Sequence, residues 1–148
     1  VGTTCIVRLP FKIGEAEEIS KPVNYEEISV KGLRALVVED NELNMEIARF
    51  MLENNGVETV CAVDGEEAVE IFEKSDAHYF DVIFMDIMMP KMSGDEAARC
   101  IRKINPSIPI VAMSAQSEYS IDQTIMNDSI SKPIDEQKLD HILRKYVA

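Results

Sequence analysis

The sequence predicts an α/β fold in which five parallel strands alternate with helices. Three observations support this prediction. Short apolar runs of strand length recur along the chain, segments with helical spacing of apolar residues separate them, and Gly, Asn and Asp residues stand at many of the junctions. Strands that alternate with helices pair in parallel and are covered by helices on both faces of the sheet.

The first strand–helix unit is predicted between residues 33 and 55. The run from Leu33 to Val38 is apolar except for Arg34, as in a strand that is covered on both faces. The helix that follows, residues 41–55, is ended by Asn55-Gly56. Its apolar residues recur at helical spacing and form one stripe: Leu43, Ile47, Phe50 and Met51.

The remaining elements repeat this alternation. Strands are predicted at residues 57–63, 82–85 and 109–113, with a weak fifth at 129–131. Three further helices follow Asp64-Gly65, Gly94-Asp95 and Asp135. Their predicted inward residues are Ala68, Ile71 and Phe72 in the first, Ala97, Ile101 and Ile104 in the second, and Leu139, Ile142, Leu143 and Tyr146 in the third. Residues 115–128 are polar and only loosely helical.

These (βα)5 units predict a flavodoxin-like, doubly wound sheet. Right-handed crossovers leave few possible topologies, and the strand order that we expect is 2-1-3-4-5.

Composition narrows the possible functions. With 46% hydrophobic and 28% charged residues the chain is globular, and no apolar run approaches the roughly 20 residues that cross a membrane. A net charge of −12 disfavours direct contact with nucleic acid or anionic membranes. Cys5, Cys61 and Cys100 are widely spaced and form no CxxC motif. They are typical of buried apolar side chains in a reducing, cytoplasmic compartment rather than of a disulfide scaffold or zinc site.

Polar residues stand where four of the predicted strands end. Glu39-Asp40 follow the first strand, Asp86 ends the third, and Ser114 and Lys132-Pro133 follow the fourth and fifth. Because ligands of open parallel sheets bind at the carboxyl ends of the strands, we expect these side chains to converge there.

A phosphoryl-binding metal site is the chemistry that this set favours. Three neighbouring carboxylates cannot all stay ionised without compensation. Lys132 supplies one positive charge, and a hard divalent cation would supply the rest; donors that are all oxygen favour Mg²⁺ over zinc. A phosphoryl group on one carboxylate could then be held by the metal, the ammonium and the Ser114 hydroxyl.

Four stretches at these positions resemble the receiver domain of two-component signalling, over residues 33–148. They are LVVEDNELN, DVIFMDIMMPKMSGDE, IPIVAMSAQ and SKPI. The resemblance implies that Asp86 is the phosphoacceptor and that Asp40 binds Mg²⁺ directly. It implies that Glu39 acts through water and that the backbone carbonyl of Met88 is a further metal ligand.

The same resemblance assigns Ser114 and Lys132 to the phosphoryl site and implies that the Lys132–Pro133 peptide bond is cis. The partner would be a kinase or phosphotransfer domain that carries a phosphohistidine. Met88 and Gln116 would border the approach of water to the phosphoryl group. Since Met88 is apolar and Gln116 is uncharged, we expect a long phosphoryl lifetime.

Two features depart from the family pattern. Ser129 stands where receivers often have Tyr or Phe, three residues before Lys132, so the usual coupling of an aromatic ring to activation is in doubt. The segment from Ser114 to Lys132 is about one helical turn short, and we expect its helix to be stunted or irregular.

The N-terminal segment predicts a larger context. Residues 1–13 are predicted to be the remnant of a preceding domain, because the stretch GTTCIVRLPFKIG resembles the closing glycine motif and last strand of a histidine-kinase ATP-binding domain. Residues 14–32 have the composition of a linker. With no initiator Met and no signal peptide, we expect an intracellular piece of a longer protein, a hybrid sensor histidine kinase with this receiver at its carboxyl end.

The piece has no phosphorylatable His motif, and His78 and His141 are isolated residues predicted to lie on the surface. We therefore expect no kinase activity from it.

The sequence disfavours two alternative functions. An aspartyl-phosphate phosphatase of the haloacid-dehalogenase kind needs a second acid two residues after its strand-end Asp, where this chain has Met88. A degenerate receiver that only docks partners would lack part of the acid and Lys set, which is complete here.

Overall fold

The computed structural model describes residue 2, residues 29–116 and residues 120–147. Five parallel strands form one sheet in the order β2-β1-β3-β4-β5, which confirms the predicted topology. The described elements, in chain order, are β1 Arg34–Val38, α1 Glu42–Asn54, β2 Glu58–Ala62, α2 Gly65–Lys74, β3 Val82–Asp86, α3 Gly94–Ile104, β4 Ile110–Ser114, β5 Asp128–Ser131 and α4 Glu136–Val147. No helix of the described residues is long and apolar enough to cross a membrane.

The core lies in two layers, one on each face of the sheet. Successive residues of a strand point to opposite faces, so β3 sends Ile83 and Met85 to one layer and Val82 and Phe84 to the other. Helices α2 and α3 cover the first layer, and α1 and α4 cover the second. Every residue of β3 is buried, as expected of the central strand of a doubly wound sheet.

The face that α1 buries is not the one that the sequence predicted. Met45, Ala48 and Leu52 pack against the sheet, whereas Leu43 and Phe50 are 69% and 70% exposed and Ile47 is also exposed. Two apolar series share this helix, and apolar spacing alone could not decide between them. The predicted inward position of Ile104 in α3 was also wrong, because it is the last residue of that helix and is exposed.

The connection between β4 and β5 contains no helix in its described part, residues 115–116 and 120–127. Ile125 and Met126 are nevertheless buried and anchor it to the layer covered by α2 and α3. Asp122 accepts hydrogen bonds from the backbone N–H and hydroxyl of Thr124, at 3.0 and 2.5 Å, which stabilises a local turn. The expected irregular crossover is thus confirmed for these residues.

Two residues of the predicted linker contact the domain. Val30 is buried in the layer beneath α1 and α4, and the Gly32 N–H donates to the Gly56 carbonyl at 2.9 Å. The predicted N-terminal strand, the rest of the linker and Cys5 lie outside the described residues. Cys61 and Cys100 are free thiols that are half-buried rather than fully buried as predicted, and Cys61 packs against the layer that α1 and α4 cover.

Candidate functional site

The strand ends bring the predicted polar residues together at one edge of the sheet. We call this edge the rim, meaning the carboxyl ends of β1, β3, β4 and β5. In the sheet register Asp86 pairs with Met113 and Ser114 with Ser131, so these strands end at nearly the same height. Glu39, Asp86 and Ser114 are the buried polar side chains of the described core, and all three belong to the predicted site. Buried ionisable groups that cluster in this way are typical of functional sites.

Asp86, the last residue of β3, is 4% exposed and has two partners. Its Oδ2 lies 3.0 Å from the ammonium nitrogen of Lys132. Its Oδ1 accepts a hydrogen bond from the backbone N–H of Met88 at 3.2 Å. One charged and one backbone donor therefore orient this carboxylate at the rim.

Glu39 follows β1 and is 2% exposed. Its Oε1 accepts from the backbone N–H of Asn41 at 3.1 Å, and its Oε2 forms an ion pair with Lys132. The Glu39 N–H donates to the Ala62 carbonyl at 3.1 Å, which extends the β1–β2 pairing. Lys132 thus joins the carboxylates at the ends of β1 and β3.

The pKa values of Glu39 and Lys132 are both raised, but for different reasons. Burial, reinforced by the negative charge of Asp86, raises the pKa of Glu39 despite its bonds to Lys132 and Asn41. Burial disfavours the charged Lys132 ammonium, but its bonds to Glu39 and Asp86 outweigh that effect and raise its pKa. Two carboxylates that share one ammonium leave this cluster with a net negative charge. An additional cation would offset this net negative charge.

The three acids that the sequence assigned to a metal lie close to one another. Glu39, Asp40 and Asp86 each offer a carboxylate oxygen, and these oxygens lie within 4.8 Å of each other. Asp40 is exposed, in contrast to its two buried neighbours. An all-oxygen donor set open to solvent on one side suits Mg²⁺, which keeps several water ligands in proteins. The part assigned to the Met88 carbonyl remains a prediction.

Ser114 ends β4 and completes the rim. Its hydroxyl oxygen accepts from the backbone N–H of Gln116 at 3.1 Å, and its carbonyl accepts from the Lys132 N–H at 2.7 Å. The second bond continues the β4–β5 ladder by one residue and sets the position from which the Lys132 side chain starts. The Lys132–Pro133 peptide bond is cis, as the resemblance implied.

Gly94 supports the site, and the sequence analysis missed this role. A Cβ atom at Gly94 would stand 2.2 Å from the carbonyl oxygen of Asp86, so only glycine fits there. The Gly94 N–H donates to the Ile87 carbonyl at 3.1 Å, and Ser93 and Glu96 form a capping box at the start of α3. The glycine at the start of this helix is visible in the sequence. Its role is not, because that role depends on how closely the loop folds back on β3.

An apolar surface of α1 adjoins the rim. Ile47, Pro133 and Ile134 line a small cleft together with Glu39 and Lys132. Ile47 belongs to the exposed series of α1, so exposed apolar side chains lead from the site along that helix.

Comparisons with known proteins agree with this geometry. The family model described as the response regulator receiver domain matches residues 35–144. The autoinducer 2 sensor kinase/phosphatase LuxQ of Vibrio vulnificus is 37% identical over 145 residues, which are 93% of this chain and 17% of that protein. The osmosensing histidine protein kinase SLN1 of Saccharomyces cerevisiae is 38% identical over 124 residues, which are 78% of this chain and 10% of that protein. The chain therefore spans less than a fifth of the length of either relative.

Solved structures show the same fold. The receiver domain of the sensor histidine kinase PA1611 from Pseudomonas aeruginosa, with a magnesium ion in its active-site cleft, is 31% identical with a TM-score of 0.71; the match covers 78% of this chain and 98% of that one. The response regulator TrrA of Thermotoga maritima, in complex with Mg²⁺ and BeF, is 30% identical with a TM-score of 0.70, covering 77% and 98%.

Proposed function

This chain belongs to the response regulator receiver domain family, and we propose that Asp86 accepts a phosphoryl group from a phosphohistidine with the help of Mg²⁺. The main support is the arrangement around Asp86. A buried carboxylate at the end of the central strand contacts Lys132 and lies beside two further acids, Glu39 and Asp40.

In the proposed reaction an Asp86 oxygen forms a bond to phosphorus while the phosphorus–nitrogen bond of the donor breaks. The electron pair of that bond returns to the imidazole of the donor. In this proposal Lys132 binds one phosphoryl oxygen, and the Ser114 hydroxyl binds another. No side chain of this site has to act as a general acid, because the attacking group is already an anion.

Mg²⁺, when bound, would offset the negative charge of the phosphoryl oxygens. Asp40 and Asp86 would hold it directly, Glu39 through water, and the Met88 carbonyl as a further ligand. The oxygen donors of the three acids support this assignment.

The proposed donor is a histidine kinase or a phosphotransfer domain, and the proposed setting is a cytoplasmic, carboxyl-terminal receiver of a hybrid sensor kinase. Relatives that include LuxQ and SLN1 support the setting, since both are named as kinases and match only over a small part of their length. In this proposal the chain is a phosphoacceptor, and the kinase activity belongs to another domain.

The alternative is a degenerate receiver that docks partners without being phosphorylated. The complete set of Asp86, Asp40 and Lys132, with Lys132 already in contact with Asp86, favours the phosphoacceptor. A phosphatase of the haloacid-dehalogenase kind is disfavoured because Met88 replaces the general acid that it would need.

The test is phosphorylation by acetyl phosphate, read by intact mass. We expect the chain to gain the mass of one phosphate only when Mg²⁺ is present, and Asp86→Asn to gain none. Asp76→Asn, at an exposed position in the α2–β3 connection, is the matched control and should behave like the parent. Asp86→Asn should also be at least as stable as the parent, because it removes one charge from a net negative cluster. A phosphate on the Asp86→Asn variant would overturn the assignment, and a parent that never gains mass would favour the docking module.

A further inference from the structure

We propose that Met88 is a modification site, at which a hydroperoxide forms methionine sulfoxide and so shortens the lifetime of the phosphoryl group on Asp86. The effect on phosphoryl lifetime rests on the proposed phosphoacceptor function. The modification itself rests only on the exposure of Met88.

Met88 differs from every other methionine of the chain in its exposure. The sequence has eight methionines, all within the described residues. Met88 is 78% exposed. The others are buried or half-buried: Met45, Met51, Met85, Met89, Met92, Met113 and Met126. Because oxidation of a thioether requires that the oxidant reach the sulfur, Met88 should react first.

The backbone of Met88 is fixed against the phosphoacceptor. Its N–H donates to Asp86 Oδ1 at 3.2 Å, so a change in the Met88 side chain occurs next to the reacting carboxylate. The Lys132 ammonium contacts the other carboxylate oxygen, Oδ2. The exposed Met88 side chain therefore begins one backbone hydrogen bond away from the carboxylate that would carry the phosphoryl group.

The modification is a two-electron oxygen transfer. The O–O bond of a hydroperoxide breaks as an S–O bond forms at the Met88 sulfur. The thioether is oxidised to the sulfoxide, the hydroperoxide is reduced to an alcohol, or to water if it is hydrogen peroxide, and no other reactant is needed. Methionine sulfoxide reductases reverse the change, so it can serve as a switch.

The sulfoxide changes what the side chain offers to water. A thioether sulfur is a weak hydrogen-bond acceptor, whereas a sulfoxide oxygen is a polar one. An acceptor at this place can orient the water that attacks the phosphorus of phosphorylated Asp86. One ordinary hydrogen bond gained in the transition state corresponds to a phosphoryl half-life about fivefold shorter.

The experiment exposes the chain to dilute hydrogen peroxide, maps the added oxygen by peptide mass and then measures phosphoryl half-life after loading with acetyl phosphate and Mg²⁺. We expect oxidation at Met88 before any other methionine, and a half-life about fivefold shorter. Met88→Leu keeps an apolar side chain without sulfur, so its half-life should not respond to peroxide. Met92→Leu, at a half-buried position of the same loop, should respond like the parent. Met88→Gln supplies a polar side chain without any oxidant. Its phosphoryl half-life should therefore be shorter than that of Met88→Leu.

The outcomes separate this proposal from the proposed function. Oxidation spread evenly over several methionines overturns the modification site. Selective oxidation with an unchanged half-life overturns the regulatory effect, and so does a peroxide response that persists in Met88→Leu. A chain that never takes phosphate overturns both the phosphoacceptor function and the regulatory effect, while the mapped oxidation still decides the modification site.

Discussion

Lys132 links the two buried carboxylates of the candidate site. It contacts Glu39 and Asp86 at once, so it holds the ends of β1 and β3 together through charge. The sequence predicted that this ammonium would meet the acids, because strand order and strand ends are readable from apolar patterning. It did not predict the pairing with Glu39, since which oxygen a flexible side chain reaches is settled only by packing.

Glu39 and Asp40 should therefore contribute differently to metal binding. Both oxygens of Glu39 are engaged, by Lys132 and by the Asn41 N–H, whereas Asp40 is exposed. We expect Glu39→Ala to weaken Mg²⁺ binding by about tenfold, as is usual when a group outside the direct ligands is lost, and Asp40→Ala to weaken it more. Titration calorimetry on both variants measures this, with Glu39→Gln as a control for shape. Equal losses in the two alanine variants, or no loss, would count against a direct role for Asp40.

Phosphoryl lifetime should depend on Met88 and Gln116 together. Met88 cannot orient water strongly, and Gln116 is exposed, uncharged and tied by its backbone N–H to the Ser114 hydroxyl. We expect the double variant Met88→Asn with Gln116→Glu to lose its phosphate at least about tenfold faster, since positioned acid–base groups commonly contribute more than this. Loss of phosphate from the purified, phosphorylated domain gives the rate. If the double variant and the parent hydrolyse equally fast, the lifetime is set elsewhere, for example by the β4–β5 connection.

At the scale of elements, α1 shows the limit of periodicity as evidence. Asn41 caps this helix by accepting from the Asn44 N–H at 3.0 Å, which supports the predicted start. Which of two apolar series faces the sheet then depends on the direction in which the chain leaves β1, and spacing does not encode that. The exposed series, Leu43, Ile47 and Phe50, is left on the surface, and Ile47 lines the cleft beside Glu39 and Lys132.

This exposed surface of α1 should contact the protein that donates the phosphoryl group. A donor histidine has to approach Asp86 closely, so its domain must cover the neighbouring surface. We expect the double variant Leu43→Glu with Phe50→Glu to accept phosphate from acetyl phosphate at the parent rate. Transfer from a phosphotransfer domain phosphorylated on histidine should fall about tenfold or more, as for the loss of buried interface side chains. An acidic residue in the first turn of a helix is favourable, so Leu43→Glu should not harm the fold.

The matched control for this surface is Ile104→Glu. Ile104 is also an exposed apolar residue, but it lies at the end of α3, away from the rim. The Ile104→Glu variant should accept phosphate from acetyl phosphate and from the phosphotransfer domain at the parent rates. A double variant of α1 that transfers from the protein donor as fast as the parent would exclude this surface from docking.

For the whole molecule, topology was more predictable than the irregular parts of the chain. The alternation of strands and helices, with right-handed crossovers, leads to the observed sheet order without knowledge of any side-chain contact. The boundaries of the strands differ by one residue in places, as for β4, predicted at 109–113 and found at Ile110–Ser114. The β4–β5 connection could not be derived in detail, because isolated apolar residues such as Ile125 and Met126 give no period from which to read their burial.

The negative charge of the chain should make Mg²⁺ a stabilising ligand. The net charge is −12, and the most concentrated negative charge among the buried residues lies at the rim, where one ammonium faces Glu39 and Asp86. Mg²⁺ that binds only the folded state, at about ten times its Kd, adds about 1.4 kcal/mol to the free energy of unfolding. For a domain of this size that raises the Tm by about 5 °C.

Thermal unfolding with Mg²⁺ should therefore occur at a clearly higher temperature than with NaCl at equal ionic strength, which screens surface charges but does not occupy the site. The shift should be smaller in Asp40→Ala, because that variant lacks a proposed ligand. If NaCl at equal ionic strength gives the same shift, or if Asp40→Ala keeps it in full, the stabilisation comes from general screening and not from an ion at the rim.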